Sequence, residues 1–485
     1  MESERRDSIL GPGRRRLTTG MVLVVSFIAF EAIAVSTVLP VVVRHLGGLR
    51  LYGWTFSAFM LAQLVGIVVT GPLVDRIGML RPTLVAVGLF CVGLAIDGAA
   101  PSMVVLVAGR VVQGAGAGVL VVTLNVLVGR GYPAHLRPRA YAAMSTAWVI
   151  PGVVGPAVAG VVAEDLSWRV VFLGIIPATL VAAAIALPAI ARTDIAAGEE
   201  PSGNPEPRDL ARAAGIAMAV TLAGGTALVI EALSWRRAVL SPALGSIGLV
   251  LVVRALRAVI PRRAAGGGRA DNRQLGTMAV AALVNLAFFS AEAFLPLSLT
   301  SLHHRSVTEA GVVLTVAALT WTAGSWVQAR YVSVVGPRRL CAAGLVLVAL
   351  GIGGVFTLDW ARTPWWWGFV AWAVAGAGMG LSYATTTLVV LSSAGAGRQG
   401  GSIAAMQVLV TLGVAVGAGV GGAALALSLA LGHGRAPGLR AVDAAAVVAA
   451  LVGLGLTVTI PRVVPAAATV RSPERDGGRM LETRP

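Results

Sequence analysis

The chain has 485 residues, of which 56% are hydrophobic and only 12% charged, and its mean hydropathy is +0.83. That balance excludes an ordinary soluble domain, and because the apolar residues gather into runs of about 20, the length of a helix that crosses a hydrocarbon core, it describes a polytopic membrane protein. The net charge of +16 calls for no nucleic acid: lysine is absent, and arginines cluster in polar connections beside the apolar runs, where anionic lipid balances them.

Taken in order, the apolar runs predict fourteen transmembrane helices, at 18–41, 54–75, 82–100, 102–126, 139–163, 170–191, 211–233, 238–260, 275–298, 309–330, 339–358, 364–391, 398–429 and 441–461. The amino-terminal MESERRDSILGPGRRRL is charged and punctuated by glycine and proline; the run after it is too long for a signal-peptide core, so the first span stays in the protein. Polar linkers at 192–210 and 261–274 set spans seven and eight apart as an inserted two-helix hairpin, 211–260. It separates an amino-terminal bundle of six helices, 18–191, from a carboxy-terminal bundle of six, 275–461, with tails at 1–17 and 462–485. With the amino terminus inside the cell, nine of the 38 arginines face outward, Arg110 lies within the membrane and 28 face the cytoplasm. The positive-inside rule therefore places both termini in the cytoplasm.

Within the first span, SFIAFEAIAVSTVLP carries Glu31 with no other charge between Arg16 and Arg44. A charged side chain at the bilayer centre costs about 3 kcal/mol or more, so such a carboxyl binds a proton unless a cation is near. That is what a proton or substrate-cation site needs; the alternative is a structural carboxyl hydrogen-bonded across helices. After span two comes GPLVDRIGMLRP: Gly71 permits close helix approach, Asp75 and Arg76 end the helix, Gly78 allows a tight turn and Arg81 faces the inner surface. Span four carries GRVVQGAGAG, with Arg110 about eight residues, roughly 12 Å, from its outer end and Gln113 one turn on. At that depth Arg110 needs a partner, either a polar network that tunes a nearby acid or backbone carbonyls alone. Span five carries PGVVGPAVAG, where Pro151 and Pro156 bend the helix and Gly152 and Gly155 admit a neighbour.

Together these stretches resemble three signature motifs of the major facilitator superfamily: the Gly-x-x-x-Asp-Arg-x-Gly loop after span two, the Arg-x-x-Gln-Gly pattern of span four and the Gly-Pro-x-x-x-Gly antiporter pattern of span five. Met79 and Leu80 stand where the family loop turns basic, and Pro151 where the antiporter pattern often has glycine. Fourteen spans and FEAIAVSTVLP narrow the resemblance to the fourteen-spanner drug:proton antiporters, with Glu31 at the aspartate position of their first span, Ser36 at the asparagine, and Ile33 replacing threonine. The resemblance implies the major facilitator fold, two six-helix bundles plus two central helices, in the plasma membrane. It implies gating by Gly71, Asp75, Arg76, Gly78, Pro151, Gly155 and Pro156, and proton or substrate binding by Glu31, Arg110 and Gln113. A degenerate second copy follows: AGSWVQARYVSVVGPRRL sets Gly324 and Gln328 at the spacing of Gly71 and Asp75, and FFSAEAFLP places Glu292 in span nine as Glu31 is in span one, either a second cavity acid or a rim residue.

Asp97, Glu231 and Asp443, near outer span ends, read as interface residues, His303 and His304 as surface histidines with nothing to complete a metal site, and Trp365, Trp366 and Trp367 as an interfacial belt. Phe27, Phe30, Trp54, Phe56, Phe288, Phe289 and Phe294 are candidates to line a cavity. Without lysine there is no Gly-x-x-x-x-Gly-Lys-Ser/Thr nucleotide loop, and nothing marks an enzyme or a cofactor; the proton is the coupling ion. The expected function is proton-coupled export of lipophilic, cationic or amphipathic small molecules by a monomer in contact with membrane lipid. The rivals are a proton-coupled carrier of one metabolite and a lipid-handling or sensor protein on the same fold.

The topology is open to a direct check. In a background lacking Cys91 and Cys341, cysteines placed singly at Gly48 and Gly434 should label from outside, and those at Gly267 and Ser393 only from the cytoplasm. Cytoplasmic labelling of the 234–237 connection would remove the inserted hairpin.

Overall fold

The computed structural model describes residues 8–11, 14–133, 135–197, 206–234, 240–259, 269–360, 362–394 and 399–463. Most of both tails, much of the two polar linkers and Gly267 lie outside the described residues. Among the described residues are fifteen α-helices and no β-strand. The first seven form one bundle: α1 (Arg15–Leu46), α2 (Tyr52–Ile77), α3 (Leu80–Ala99), α4 (Met103–Gly131), α5 (Arg137–Thr146), α6 (Val149–Val162) and α7 (Trp168–Ala197). Next come α8 (Glu206–Ser234) and α9 (Leu240–Val259), then a second bundle of α10 (Arg269–Leu302), α11 (Val307–Val335), α12 (Pro337–Leu358), α13 (Trp367–Ser393), α14 (Gln399–Ala430) and α15 (Arg435–Leu456).

Twelve segments of the described residues are long and apolar enough to cross a membrane. One of them, Arg139–Thr193, covers the expected spans five and six together, while α9, with Arg254 and Arg257 near its end, is not among them. The polytopic all-α architecture is thus present, whereas fourteen separate spans are not reached by length and apolarity alone. The pair α8 and α9 cross where Gly225 and Gly248 meet, and α8 docks in the seam between the bundles, Leu222 packing in one cluster with Leu64 and Ile67 of α2 and Val408 and Leu412 of α14.

Turn chemistry shows the internal repeat better than sequence identity does. Gly78 (φ 75°) ends α2 by returning its N–H to the Val74 carbonyl, and Gly336 (φ 88°) ends α11 by returning its own to Val332. Both need the left-handed region that glycine enters without steric cost. The second helix of each bundle stops in the same way.

Span five corrects its expectation. It is not one bent helix but two, α5 and α6, broken at Ala147 and Trp148. Pro151 has no N–H to offer the carbonyl four residues back, and that carbonyl, of Ala147, instead accepts the Ser26 hydroxyl at 3.0 Å. A π turn, Ala163–Ser167, then carries the chain into α7.

The bundles meet over the half of the molecule away from the two termini, here called the distal end. Small residues let backbones touch: Gly53 of α2 lies against Gly422 of α14, Pro156 of α6 against Gly311 of α11, and Gly160 against Thr308. In lipid, where no hydrophobic force drives helices together, such close approach is the main source of cohesion. Hydrogen bonds add register: Ser57 donates to the Ala415 carbonyl at 2.8 Å, Tyr52 to Ala293 at 3.0 Å and Thr315 to Val153 at 3.1 Å. At the tip, Glu164 accepts from the Val307 amide and, at 2.7 Å, from the Thr308 hydroxyl, so its carboxylate caps the amino terminus of α11 across the bundle interface.

A Cβ at position 53 would lie 2.6 Å from the Gly422 Cα, too close to be absorbed without backbone movement. Overpacking of this kind costs about 1–3 kcal/mol. Gly53→Leu should therefore open the distal end, raising the labelling rate of a cysteine at Ser57 about tenfold or more over the same cysteine in the native background. An unchanged rate would show that this seam does not set closure.

Candidate functional site

The site is built on α4. Ser102 starts the helix, its side chain accepting from the Val105 amide, and Arg110 and Gln113 follow one turn apart on the same buried face. The glycines after them bring neighbouring backbones in: Gly116 lies against the Phe90 amide of α3 and Gly118 against Gly66 of α2, while Gly93 of α3 takes the Gln113 backbone. That packing leaves Arg110 only 2% exposed, deep among three helices.

Its partners account for that burial. Arg110 Nη1 donates to Glu31 Oε1 on α1 and to Gln113 Oε1, and Nε donates to the Thr55 carbonyl of α2 at 3.0 Å. The Phe59 ring lies 4.2 Å beneath the guanidinium carbon. Glu31 is fully buried, and both its Oε2 and Gln113 Nε2 are left without a hydrogen-bond partner. Of the two readings of Arg110, a network with an acid or carbonyls alone, the network is what forms, with one carbonyl included. A buried ion pair with one free carboxylate oxygen and one free amide can bind a proton, or the polar end of a ligand, without being taken apart.

The other expected residues sit elsewhere. Glu292 is on α10 in the other bundle, half-buried, and shares no hydrogen bond with Glu31 or Arg110. One turn before it begins an aromatic wall: Phe288 stacks on Trp372 at 4.7 Å and meets Phe289 and Trp321 edge-on, and Trp321 meets Tyr383. Phe289, Trp321 and Tyr383 are half-buried, whereas Phe288 and Phe294, candidates for the cavity, are packed into the core, Phe294 against Tyr52. Gly155 faces Phe30 of α1 at ordinary contact distance, while Gly152 and Pro156 face α11, so one short helix touches both bundles.

Three expectations are corrected. No neighbour approaches Gly71, where a Cβ would meet open space, so helix packing is not its reason. Asp97, read as an interface residue because it lies one turn from a helix end, is completely buried, since α4 and α7 pack over that turn. Asp443 is buried too, near Asp359 at the distal end of the second bundle. There the Ser298 hydroxyl donates to Asp359 Oδ1 at 2.7 Å, and burial pushes the Asp359 carboxyl up from its ordinary range. His303 bonds the Leu358 carbonyl through Nε2 at 2.6 Å, and no group of three or more His, Cys, Asp or Glu suited to a metal occurs among the described residues. Thr55 and Glu164 escaped sequence reasoning: one acts through its backbone, the other through a contact between distant helices.

The sequence matches the model of the Major Facilitator Superfamily over residues 21–418, most of the chain. It belongs to the major facilitator superfamily. It is accordingly a multi-pass membrane protein with the all-α fold of that superfamily. Among its relatives is the "Acurin A biosynthesis cluster MFS-type transporter" of Aspergillus aculeatus, 33% identical over 144 residues, 30% of this chain and 26% of that one. Another is the "Probable multidrug-efflux transporter" of Mycobacterium tuberculosis, 27% identical over 348 residues, 70% of this chain and 72% of the other. The alignment spans less than a third of the length of the first curated relatives it matches. The fold is similar to that of the "peptide transporter POT in complex with sulfate", with a TM-score of 0.67 at 15% identity, covering 91% of this chain and 95% of that one.

In this superfamily member the last turn of α2 brings Asp75 to within 3.7 Å of Arg130 at the end of α4, both side chains partly exposed. An exposed pair of this kind is worth about 1 kcal/mol at most, so its loss should not unfold the bundle. Asp75→Asn should slow exchange between access states several-fold, read as the rate of state-dependent cysteine labelling, and leave equilibrium substrate affinity within a few-fold. A large loss of binding with unchanged exchange would contradict a gating role.

Proposed function

We propose that this protein is a proton-coupled secondary transporter that moves a small molecule across the membrane by alternating access, with Glu31 as the coupling carboxyl. The observation that carries this reading is the Glu31–Arg110–Gln113 network: a fully buried acid, neutralised by one cation and left with a free oxygen. In such a site a proton and a cationic or hydrogen-bonding cargo compete for the same carboxylate, and that competition is the coupling. Closure along Gly53, Gly160 and Glu164 represents one of the two access states, facing the cytoplasm if the termini are cytoplasmic as the arginine distribution expects. The paired helices α8 and α9, docked at the bundle seam, fit an inserted hairpin in a fourteen-span arrangement.

For the cargo, a specific metabolite carried in either direction accords best with the breadth of the likenesses, which run from a biosynthesis-cluster transporter to peptide transporters of the same fold. Export of lipophilic cations is the second reading. It is supported by the wall of Phe289, Trp321 and Tyr383 near Glu292 and by relatives named as multidrug transporters.

Glu31→Gln keeps volume and removes ionisation, so it separates proton handling from packing. The variant should insert normally, lose uphill flux driven by a pH gradient in proteoliposomes, and lose the pH dependence of binding. Glu31→Asp should keep coupling. The direction of flux relative to the gradient distinguishes import from export, and uphill transport equal to the native protein in Glu31→Gln would remove Glu31 from the mechanism.

A further inference from the structure

Arg110 stands near a second acid that the network leaves unused. Asp97, in the last turn of α3, has no exposed surface, and neither of its carboxyl oxygens has a hydrogen-bond partner. It rests on Gly109 of α4, the residue before Arg110, where a Cβ would lie 3.0 Å from the Asp97 carboxyl carbon and closer still to Oδ1. The missing side chain at 109 is what admits the carboxyl. Asp97 also lies within the electrostatic reach of both Arg110 and Glu31. On the other element packed over this turn, the charge is Arg169 of α7, already committed: its Nη2 donates to the Ala100 carbonyl at 2.9 Å and its guanidinium lies over the Trp168 ring. Arg110 is therefore the cation that both acids share, and the bonds to Glu31, Gln113 and Thr55 use its Nη1 and Nε, not Nη2.

One buried cation balances one carboxylate. Two ionised carboxylates beside a single guanidinium would leave a net negative charge in a water-free interior, and two neutral acids would leave Arg110 uncompensated. We propose that Asp97 is the second proton carrier of this transporter and exchanges with Glu31 for Arg110. In the arrangement described here Glu31 is the carboxylate and Asp97 keeps its proton on an Oδ atom. When Glu31 takes up a proton, Asp97 gives its own up and its carboxylate becomes the partner of Arg110; when Glu31 loses the proton, Asp97 regains one. Because Asp97 lies in the last turn of α3, nearer the distal end than the mid-span Glu31, the exchange connects the central network with that end of the bundle. This inference rests on the reading of Glu31 as a titrating site.

Infrared spectroscopy of the full-length protein in lipid at neutral pH tests it without any substrate, through the C=O stretch of protonated carboxyl groups. The native protein minus Asp97→Asn should show the loss of one carboxyl band. Glu31→Gln, whose neutral side chain releases Arg110 to Asp97, should lose the same band, and adding Asp97→Asn to it should remove nothing more. Glu31→Asp, which keeps the carboxylate, should retain the band and so controls for disruption of the bundle. A band unchanged in Asp97→Asn, or one lost there but persisting in Glu31→Gln, would overturn the proposal, since an inert buried acid keeps its proton whatever stands at 31. The two readings fail separately: loss of the band in Glu31→Gln with uphill flux intact removes Glu31 as the coupling site but not the exchange. Loss of flux with the band persisting does the reverse.

Discussion

A guanidinium held away from water must find acceptors for its donors and a counter-charge within a few ångströms, and in this protein that requirement is concentrated on Arg110. Glu31 supplies the charge, Gln113 and the Thr55 carbonyl supply acceptors, and the Phe59 face covers the guanidinium. The partners come from α1, α2 and α4, so the arginine can be satisfied only if those helices pack closely. The glycines of α4 make that possible, because Gly116 and Gly118 accept neighbouring backbone where any side chain would intrude. Burial of one charge thus sets the spacing of the amino-terminal bundle, and that spacing desolvates the acid beside it.

The interface between bundles follows a different logic. Its contacts are backbone against backbone at Gly53, Pro156 and Gly160, with three side-chain-to-carbonyl bonds and one carboxylate on a helix amino terminus. Such contacts are short-ranged, so a small separation abolishes them together, and an interface of this kind has a made and an unmade state with little between. Helix α6 links the two bundles. It is detached from α5 by the break ahead of Pro151, and it touches α11 through Gly152 and Pro156 and α1 through Gly155, which meets Phe30, the residue before Glu31.

What could be read from the residues alone was the part governed by composition and local chemistry. Runs of apolar residues demand helices in lipid because every backbone polar group must be satisfied within its own segment. Arg110, Gln113 and Glu31 announced themselves because a polar group in an apolar run has a cost that only function or pairing explains. The turns at Gly78 and the interruption near Pro151 follow from φ and from a missing N–H, both properties of single residues.

Tertiary structure decided whatever depends on which helices are neighbours. Asp97 and Asp443 look solvated in a linear reading, since depth along a helix is visible there and lateral cover is not; packing by other helices buried both. Gly71 looked like a packing glycine and meets nothing, whereas Gly109, unremarked in the sequence, is the position that admits Asp97. The choice of Glu31 as the partner of Arg110, with Glu292 left in the opposite bundle, is a matter of contacts between residues 79 positions apart in the chain. Hydrophobic periodicity carries no information about such pairs, because lipid and protein interior are equally apolar, and only the close fit of small residues selects the neighbour.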